Sequence, residues 1–286
     1  TFKVSWGQGF RAPNLSDLYG ATAFSAESAT DNWGCVLSGQ DPCTSRQFDT
    51  YIGSNPNLDA EKSSTWSVGA EWRFADRWMA TLNWFSLDIK DPINYTSAQD
   101  QLDVDFQTQG NNPNVQRNVN GGVTRIDAGF QNGSTTFNYQ ALDMGLSGGF
   151  ETGWGDFGFQ GHATYYINYD AEVSYGTGDL YDAAGTLGLP EWRANLLLPW
   201  NMGDWFASVN WDFIGSSKSN ISDVKWDSWS QFNIQAGYSF EKYGTFTVGA
   251  NNAFNKKPIR DQTGNVDENM YPNIGRVWFI RYSVDL

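Results

Sequence analysis

An antiparallel transmembrane β-barrel wall is the architecture that this all-β sequence calls for, on three grounds. First, apolar and polar residues alternate over roughly ten positions, and the pattern restarts about ten times along the chain. In 231–240, Phe232, Ile234, Ala236, Tyr238 and Phe240 fall on one face, and Gln231, Asn233, Gln235, Gly237 and Ser239 on the other. A strand sends successive side chains to opposite faces, so one side of this segment seeks an apolar medium and the other tolerates water. Second, 14 Trp, 13 Tyr and 19 Phe make a chain unusually rich in aromatics, as expected where aromatic girdles mark both membrane interfaces. Third, short and long connections alternate, the asymmetry of an outer-membrane barrel.

Read by period, strands are expected at about 1–10, 61–74, 78–90, 135–151, 157–170, 191–200, 205–215, 228–240, 245–253 and 275–286. The outward stripe of the second strand is Trp66, Val68, Ala70, Trp72 and Phe74. That of the fifth is Phe157, Phe159, Gly161, Ala163, Tyr165 and Ile167, and that of the seventh Trp205, Ala207, Val209, Trp211 and Phe213. The last strand presents Trp278, Ile280, Tyr282, Val284 and Leu286. The third strand breaks phase. Trp78, Ala80, Leu82 and Trp84 hold the even positions, and then Phe85, Leu87 and Ile89 take over. A bulge near Trp84–Phe85, or a strand that runs beyond the membrane, accounts for this. Short turns fall at Ala75–Arg77, Thr152–Asp156, Asn201–Asp204 and Glu241–Gly244, and long loops at about 11–60, 91–134, 171–190, 216–227 and 254–274. Trp72 and Trp78 bracket the first short turn, and Trp200 and Trp205 the third, at the expected headgroup level. Ten strands and five long loops place the final strand's end on the short-turn, periplasmic side.

Composition excludes several classes. Net charge is −14, which argues against a nucleic-acid partner, since phosphate contact needs Lys and Arg. No stretch approaches the ~18 apolar residues of a transmembrane helix, and mean hydropathy is −0.50; a barrel escapes that test because only alternate residues face lipid. Cys35 and Cys43 stand close together in a polar segment, with no His or further Cys near enough to complete a zinc set. A disulfide in an oxidising compartment is expected, closing a small loop that holds Trp33. No secretory signal opens the chain, and Thr1–Trp6 already alternates, so the sequence reads as the C-terminal part of a longer protein.

Four segments carry a family resemblance. They are Gly9-Phe-Arg-Ala-Pro-Asn-Leu-Ser-Asp-Leu-Tyr19, Asn55-Pro-Asn-Leu-Asp-Ala-Glu-Lys-Ser63, Asn251-Asn-Ala-Phe-Asn-Lys-Lys-Pro258 and Tyr271-Pro-Asn-Ile-Gly-Arg276. In order and spacing they resemble the C-terminal half of a TonB-dependent outer-membrane receptor, over essentially the whole chain. Ala60 stands where the family usually has Pro, and Leu286 where it often ends in Phe or Trp. The resemblance implies about ten strands of a probable 22-stranded barrel. Residues 1–286 form its C-terminal portion, with the plug domain, the N-terminal strands and the TonB box lying outside this chain. It also implies an outer-membrane, multi-pass location in a Gram-negative bacterium. The implied partners are outer-membrane lipid, the receptor's own plug and remaining strands, TonB acting through that plug, and a small ligand. The implied activity is active transport of a scarce ligand: a ferric siderophore by family default, with peptide and carbohydrate as near alternatives. Few basic loop residues (Arg46, Arg117, Arg125, Lys218, Lys225) are present to attract an anionic ferric complex. Motif residues take structural roles. Pro13 holds Ala12 extended, Pro258 ends a ladder, Gly275 permits re-entry into the last strand, and Arg276 pairs with a loop carboxylate.

Enzyme chemistry finds little support, and no cofactor is called for. The single histidine, His162, falls on the inward face with Gln160 and Thr164, as a hydrated lumen side chain. Asp170 is too far along the same strand to serve it. Gln231, Asn233 and Gln235 are expected to face the lumen likewise. The run Asp100-Gln-Leu-Asp-Val-Asp105 lacks the Gly and terminal Glu of an EF-hand, so it reads as solvated loop and not as a metal site. Asn111–Asn114 and Asn120–Gly122 read as turns. Trp33, Phe48, Tyr51 and Tyr95 are the loop aromatics expected either to contact ligand or to pack the loops together. Two other architectures compete. A self-contained small barrel, such as an autotransporter translocator, predicts shorter outer loops than 11–60. A soluble glycan-binding β-sandwich would bury its stripes against a second sheet.

Overall fold

The computed structural model describes all residues except 220–222, 262 and 285–286. The expectations placed on Leu286 therefore lie outside the described residues. Ten strands form one continuous antiparallel wall: β1 (Phe2–Arg11), β2 (Glu61–Ala75), β3 (Trp78–Lys90), β4 (Phe137–Thr152), β5 (Gly155–Glu172), β6 (Trp192–Met202), β7 (Trp205–Ile214), β8 (Trp229–Phe240), β9 (Gly244–Asn251) and β10 (Val277–Ser283). Each pairs with its neighbours in chain order. Among the described residues, no helix is long and apolar enough to cross a membrane, which says nothing of a β-barrel.

Alternation decides the faces. Val68, Trp84, Leu142 and Tyr165 are aligned across β2–β5, and Leu196, Trp211 and Phe232 across β6–β8. These stripes stay uncovered: Trp72 is 67% exposed and Ile280 73%. A sandwich would have buried them, so the wall is not one half of a sandwich. Aromatic pairs gather at both ends of the stripes. Phe150 stacks with Phe157 and Trp205 meets Tyr238 near the short turns, while Tyr165 and Trp192 meet 4.6 Å apart near the long loops. The stretch Phe157–Tyr165 matches the roughly 9–11 residues that a tilted strand needs to cross the apolar layer.

Above that band the wall inverts its polarity. The register from β3 to β2 is unbroken at Trp84 and Phe85, so the expected bulge is not there. The strand simply continues. Ser86 and Asp88 follow Trp84 on the outer face, where Asn138 Nδ2 donates to both (3.2 and 2.6 Å). Phe85, Leu87 and Ile89 turn inward, Leu87 opposite Tyr139 and Ile89 opposite the buried Phe137. The bulge sits instead at Ile167 in β5. It moves Asn168 and Asp170 to the outer polar belt, and Tyr169 to the inner face, 4.5 Å from Tyr139. Asp170 and His162 therefore occupy opposite faces.

The wall ends where the motifs direct. β1 stops at Arg11, before Pro13, and Asn14 caps a short helix, α1 (Leu15–Tyr19), through a capping box with Asp17. The ladder of β9 stops at Asn251, ahead of Pro258. Arg276 does not meet a carboxylate among the described residues. Its guanidinium donates to the Ala253 carbonyl and lies over the Trp278 ring, because Asn255 takes the Arg276 amide and holds the backbone there.

The two faces differ in what they tolerate. Ile234→Arg, on the outer face, is expected to lower unfolding stability in lipid vesicles by about 2–4 kcal/mol, and Gln235→Arg by less than about 1 kcal/mol. Equal losses in urea titrations would shift the register by one residue.

Candidate functional site

Two structures at the long-loop end hold the polar chemistry. The first is a folded module made from residues that the sequence presents only as loops. Strands Ala23–Ala29 and Arg46–Gly53, from the first long loop, join Ile93–Thr96, Val115–Arg117 and Val123–Asn132, from the second, in one five-stranded sheet. The two loops meet through parallel pairing of Thr50 with Ile126. Helices α2 (Asn32–Ser38) and α3 (Ala98–Gln107) flank the sheet. The core contains Ala29, Phe48, Ala98, Leu102, Val115 and Ile126.

Asp100–Asp105 is thus helix and not solvated loop. Ser97 caps it with Asp100 in a reciprocal box, and the Glu27 carboxylate accepts the Ala98 amide at 2.9 Å. Asp105, fully buried, meets Arg117, which also grips Asp31. Arg117 Nε and Nη2 donate to Asp105 Oδ2 at 2.9 and 2.5 Å, and Nη1 and Nη2 donate to the two Asp31 oxygens at 2.9 and 2.7 Å. Burial raises the Asp31 carboxyl, but the hydrogen bonds from Arg117 and the Gly34 amide, with the charges of Arg117 and Arg46, outweigh it and hold its pKa below the ordinary value. Burial lowers the Arg117 pKa, yet its bonds to Asp31 and Asp105 raise it above its ordinary value. One guanidinium thereby ties α2, α3 and the Val115–Arg117 strand together.

Cys35 and Cys43 are bonded, which closes a small loop directly after Trp33. Trp33 packs on Gly110, whose positive φ and missing Cβ leave room for the indole. Phe48 is core. Tyr51 lies on the opposite face of the same sheet, with Arg125 stacked 3.8 Å above its ring and Phe24 at 5.5 Å. Tyr95, on an edge strand, meets Phe130 at 5.6 Å. The four loop aromatics are therefore not gathered at one point.

The second structure is on the inner face of β5–β8. Register places His162, Asn195, Asp212 and Gln231 opposite one another in a single row across four strands. The row toward the loops is Thr164, Arg193, Ile214 and Trp229. Asp212 anchors the field. Its Oδ1 accepts from Asn195 at 2.7 Å, and its Oδ2 from Asn210 at 2.9 Å and Asn233 at 3.2 Å. Gln231 donates to Asn233 and Gln235 to Ser208, each at 3.1 Å. His162 faces Gly145 of β4, where a side chain would crowd Thr81 and reach the imidazole. The last long loop folds over this end, with Tyr271 edge-on to Trp229 at 5.8 Å. Under it lies a cavity of about 350 Å³ lined by His162, Thr164, Arg193, Asp212, Trp229 and Met270, among others. That is at the small end of ligand pockets, which run to about 300–1,000 Å³.

His162, Gln231, Asn233 and Gln235 are the residues of this face expected from the sequence; Arg193, Asn195 and Asp212 are not among them. Their parity on 191–200 and 205–215 was a usable signal. Asp31 and Asp105 had none.

Comparison with known proteins gives one family and a set of structures. The family model described as TonB dependent receptor-like, beta-barrel matches residues 1–253. No curated protein matches the sequence. The fold is similar to that of the siderophore receptor PirA from Acinetobacter baumannii (TM-score 0.65, 18% identity, 98% of this chain and 38% of that one). It is also similar to the ferric enterobactin receptor of Pseudomonas aeruginosa (TM-score 0.63, 17% identity, 98% and 37%). The copper transporter OprC resembles it less (TM-score 0.54, 14% identity, 98% and 36%). The chain thus spans well under half the length of these structures.

Arg117→Met would leave Asp31 and Asp105 buried without their cation, and should cost the module about 3–5 kcal/mol. Amide exchange would show this as lost protection in Asn32–Ser38 and Ala98–Gln107 with the wall unaffected. Because the folded Asp31 pKa is depressed, its contribution is fully present above the unfolded value near ~3.9 and lost as pH falls through the lower folded value. Protection of α2 should therefore persist at mildly acidic pH and fail only below that range. The disulfide should leave no thiol open to labelling without reduction, and replacing both cysteines by Ser should cost the module ~2–3 kcal/mol.

Proposed function

This chain belongs to the TonB-dependent receptor β-barrel family, and on that premise we propose that it is wall and outer mouth of an outer-membrane receptor that imports a scarce ligand. The family is one of outer-membrane receptors and transporters and not of enzymes. The observation that carries the reading is the pairing of an apolar outward stripe with an inner polar network centred on Asp212, beneath folded long loops. Water and ligand belong on the Asp212 face, and lipid on the other.

The wall is open among the described residues. β1 pairs only with β2, and β10 only with β9. A strand edge in hydrocarbon must find a partner for its amides. Further strands are therefore proposed to close the barrel, with a plug in its lumen through which TonB supplies energy. The share of the similar structures that this chain spans supports that proposal.

Siderophore is the ligand class named for two of the similar structures. One observation favours a second reading. Arg46 and Arg117 are paired with Asp31, and Arg125 with Asp127, in a chain of net charge −14. Those loop arginines hold little charge for an anionic ferric complex, and a peptide or carbohydrate needs less. Uptake of a radiolabelled ferric siderophore and of a labelled peptide, in cells with and without this receptor and with and without TonB, tests both. Uptake of one ligand that requires both proteins is the expected result. Uptake of neither, or uptake that ignores TonB, would overturn the reading.

A further inference from the structure

The cavity beneath the last long loop is lined by groups whose hydrogen-bonding capacity is not filled among the described residues. Arg193 lines it, and its guanidinium has no hydrogen bond or ion pair among the described residues. A guanidinium free on its forked face fits a carboxylate through two parallel bonds. One row away, Asp212 receives three amide donors from Asn195, Asn210 and Asn233. Two carboxylate oxygens offer about four acceptor sites, so one remains. Directly opposite Asp212, and outside the cavity lining, Gln231 is 9% exposed and its buried Oε1 has no donor. Its amide cannot simply be turned over. Its Nε2 donates to Asn233 Oδ1, which is fixed as the acceptor because it also takes the Asn252 amide at 2.9 Å. Ile214, Trp229, Met270 and Pro272 supply an apolar side to the same space.

A cation on one row, a carboxylate without a countercharge among the described residues on the next, and an apolar side to the same space define a ligand by elimination. A simple anion meets Arg193 and leaves the Asp212 carboxylate, whose donors are all neutral amides, without a cation. A neutral sugar meets the acceptors and leaves the guanidinium unpaired. Directly opposed strand residues lie ~4.5–5.5 Å apart and diagonal ones ~7–8 Å. The Arg193 and Asp212 positions are diagonal neighbours. Side chains reaching inward from them bracket a carboxylate and an ammonium borne on one carbon.

We propose that this cavity is a subsite for an α-amino-acid zwitterion with an apolar side chain. Arg193 takes its carboxylate, Asp212 its ammonium, and Trp229 and Met270 its side chain. The proposal rests on the receptor reading and names a ligand chemistry for it.

The test uses the full receptor in detergent, with leucine, leucinamide (no carboxylate) and isocaproate (no ammonium) followed by saturation-transfer NMR. Leucine is expected to bind about tenfold tighter than either analogue, the loss expected for one charge-assisted contact. Arg193→Gln should erase the preference for leucine over leucinamide and keep the preference over isocaproate. Absence of saturable leucine binding, equal affinity for the three probes, or an unchanged leucine-to-leucinamide ratio in the variant would each overturn the proposal. If the variant does not fold, judged by near-UV circular dichroism, the three-probe comparison on the unaltered receptor decides alone. Failure here in a receptor that still performs TonB-dependent uptake removes the subsite only. Failure of that uptake removes the receptor reading itself.

Discussion

A backbone amide in hydrocarbon has no water to turn to, and every other feature of this chain follows from meeting that condition. The wall strands meet it by pairing edge to edge in chain order, and a register that shifts only near Phe74 and Ile167 among the described wall residues makes the face of each a matter of counting. One slip would send Trp211 and Ile234 inward and Asp212 and Gln235 into lipid. The polar row His162–Asn195–Asp212–Gln231 and the apolar row Leu196–Trp211–Phe232 are thus two consequences of one ladder. Side-chain hydrogen bonds on the inner face reinforce the register without creating it.

Where water returns, the same ladder serves a different purpose. Above Trp84 and Tyr165 the outer face turns polar through Ser86, Asp88, Asn138 and Asn168, while the inner face turns apolar through Leu87, Phe137 and Tyr139. The inversion needs no change of direction in β3. In β5 it needs one extra residue, at Ile167. Beyond the apolar layer the long loops build their own sheet, and its parallel contact at Thr50 and Ile126 makes one body of two loops. Arg117 then decides whether that body is rigid. Its partners lie 12 and 86 residues away in the chain, so neither loop can rearrange without unseating a buried charge.

What the sequence discloses follows from the range of each interaction. Period two is local, and the wall strands emerge within about two residues of their expected bounds, apart from the end of the last strand, which was expected at 286 and stops at Ser283. Cys35 and Cys43 are near neighbours, and their bond was legible for the same reason. The break at Phe85 was legible as an event but not as a cause, because a bulge and an emerging strand leave the same trace in one strand read alone. Helix α3 carried a signal in Ser97–Asp100, a capping box, that the many acids of the segment obscured. Phe48, Tyr51, Trp33 and Tyr95 could not be sorted into core and surface, since an irregular loop has no period to supply a face. Asp31 and Arg117 meet across a fold that no local pattern announces.

Charge at the mouth sets how a ligand is met. The chain carries −14 overall, and Arg46, Arg117 and Arg125 each stand against a carboxylate. Exposed charges separated by more than about 8 Å are largely screened at physiological ionic strength, so a distant anion gains no steering from those pairs. Attraction is left to groups that act at contact. On the inner wall Arg193 is such a group, beside an acceptor field that Asn195, Asn210 and Asn233 have already organised around Asp212. Those amides neutralise no charge, but they fix where the carboxylate lies before any ligand arrives. Order of that kind lowers the entropy lost on binding. On the proposed reading, selectivity in this mouth is a matter of matched donors and acceptors at short range, on residues held by the wall and not by the loops.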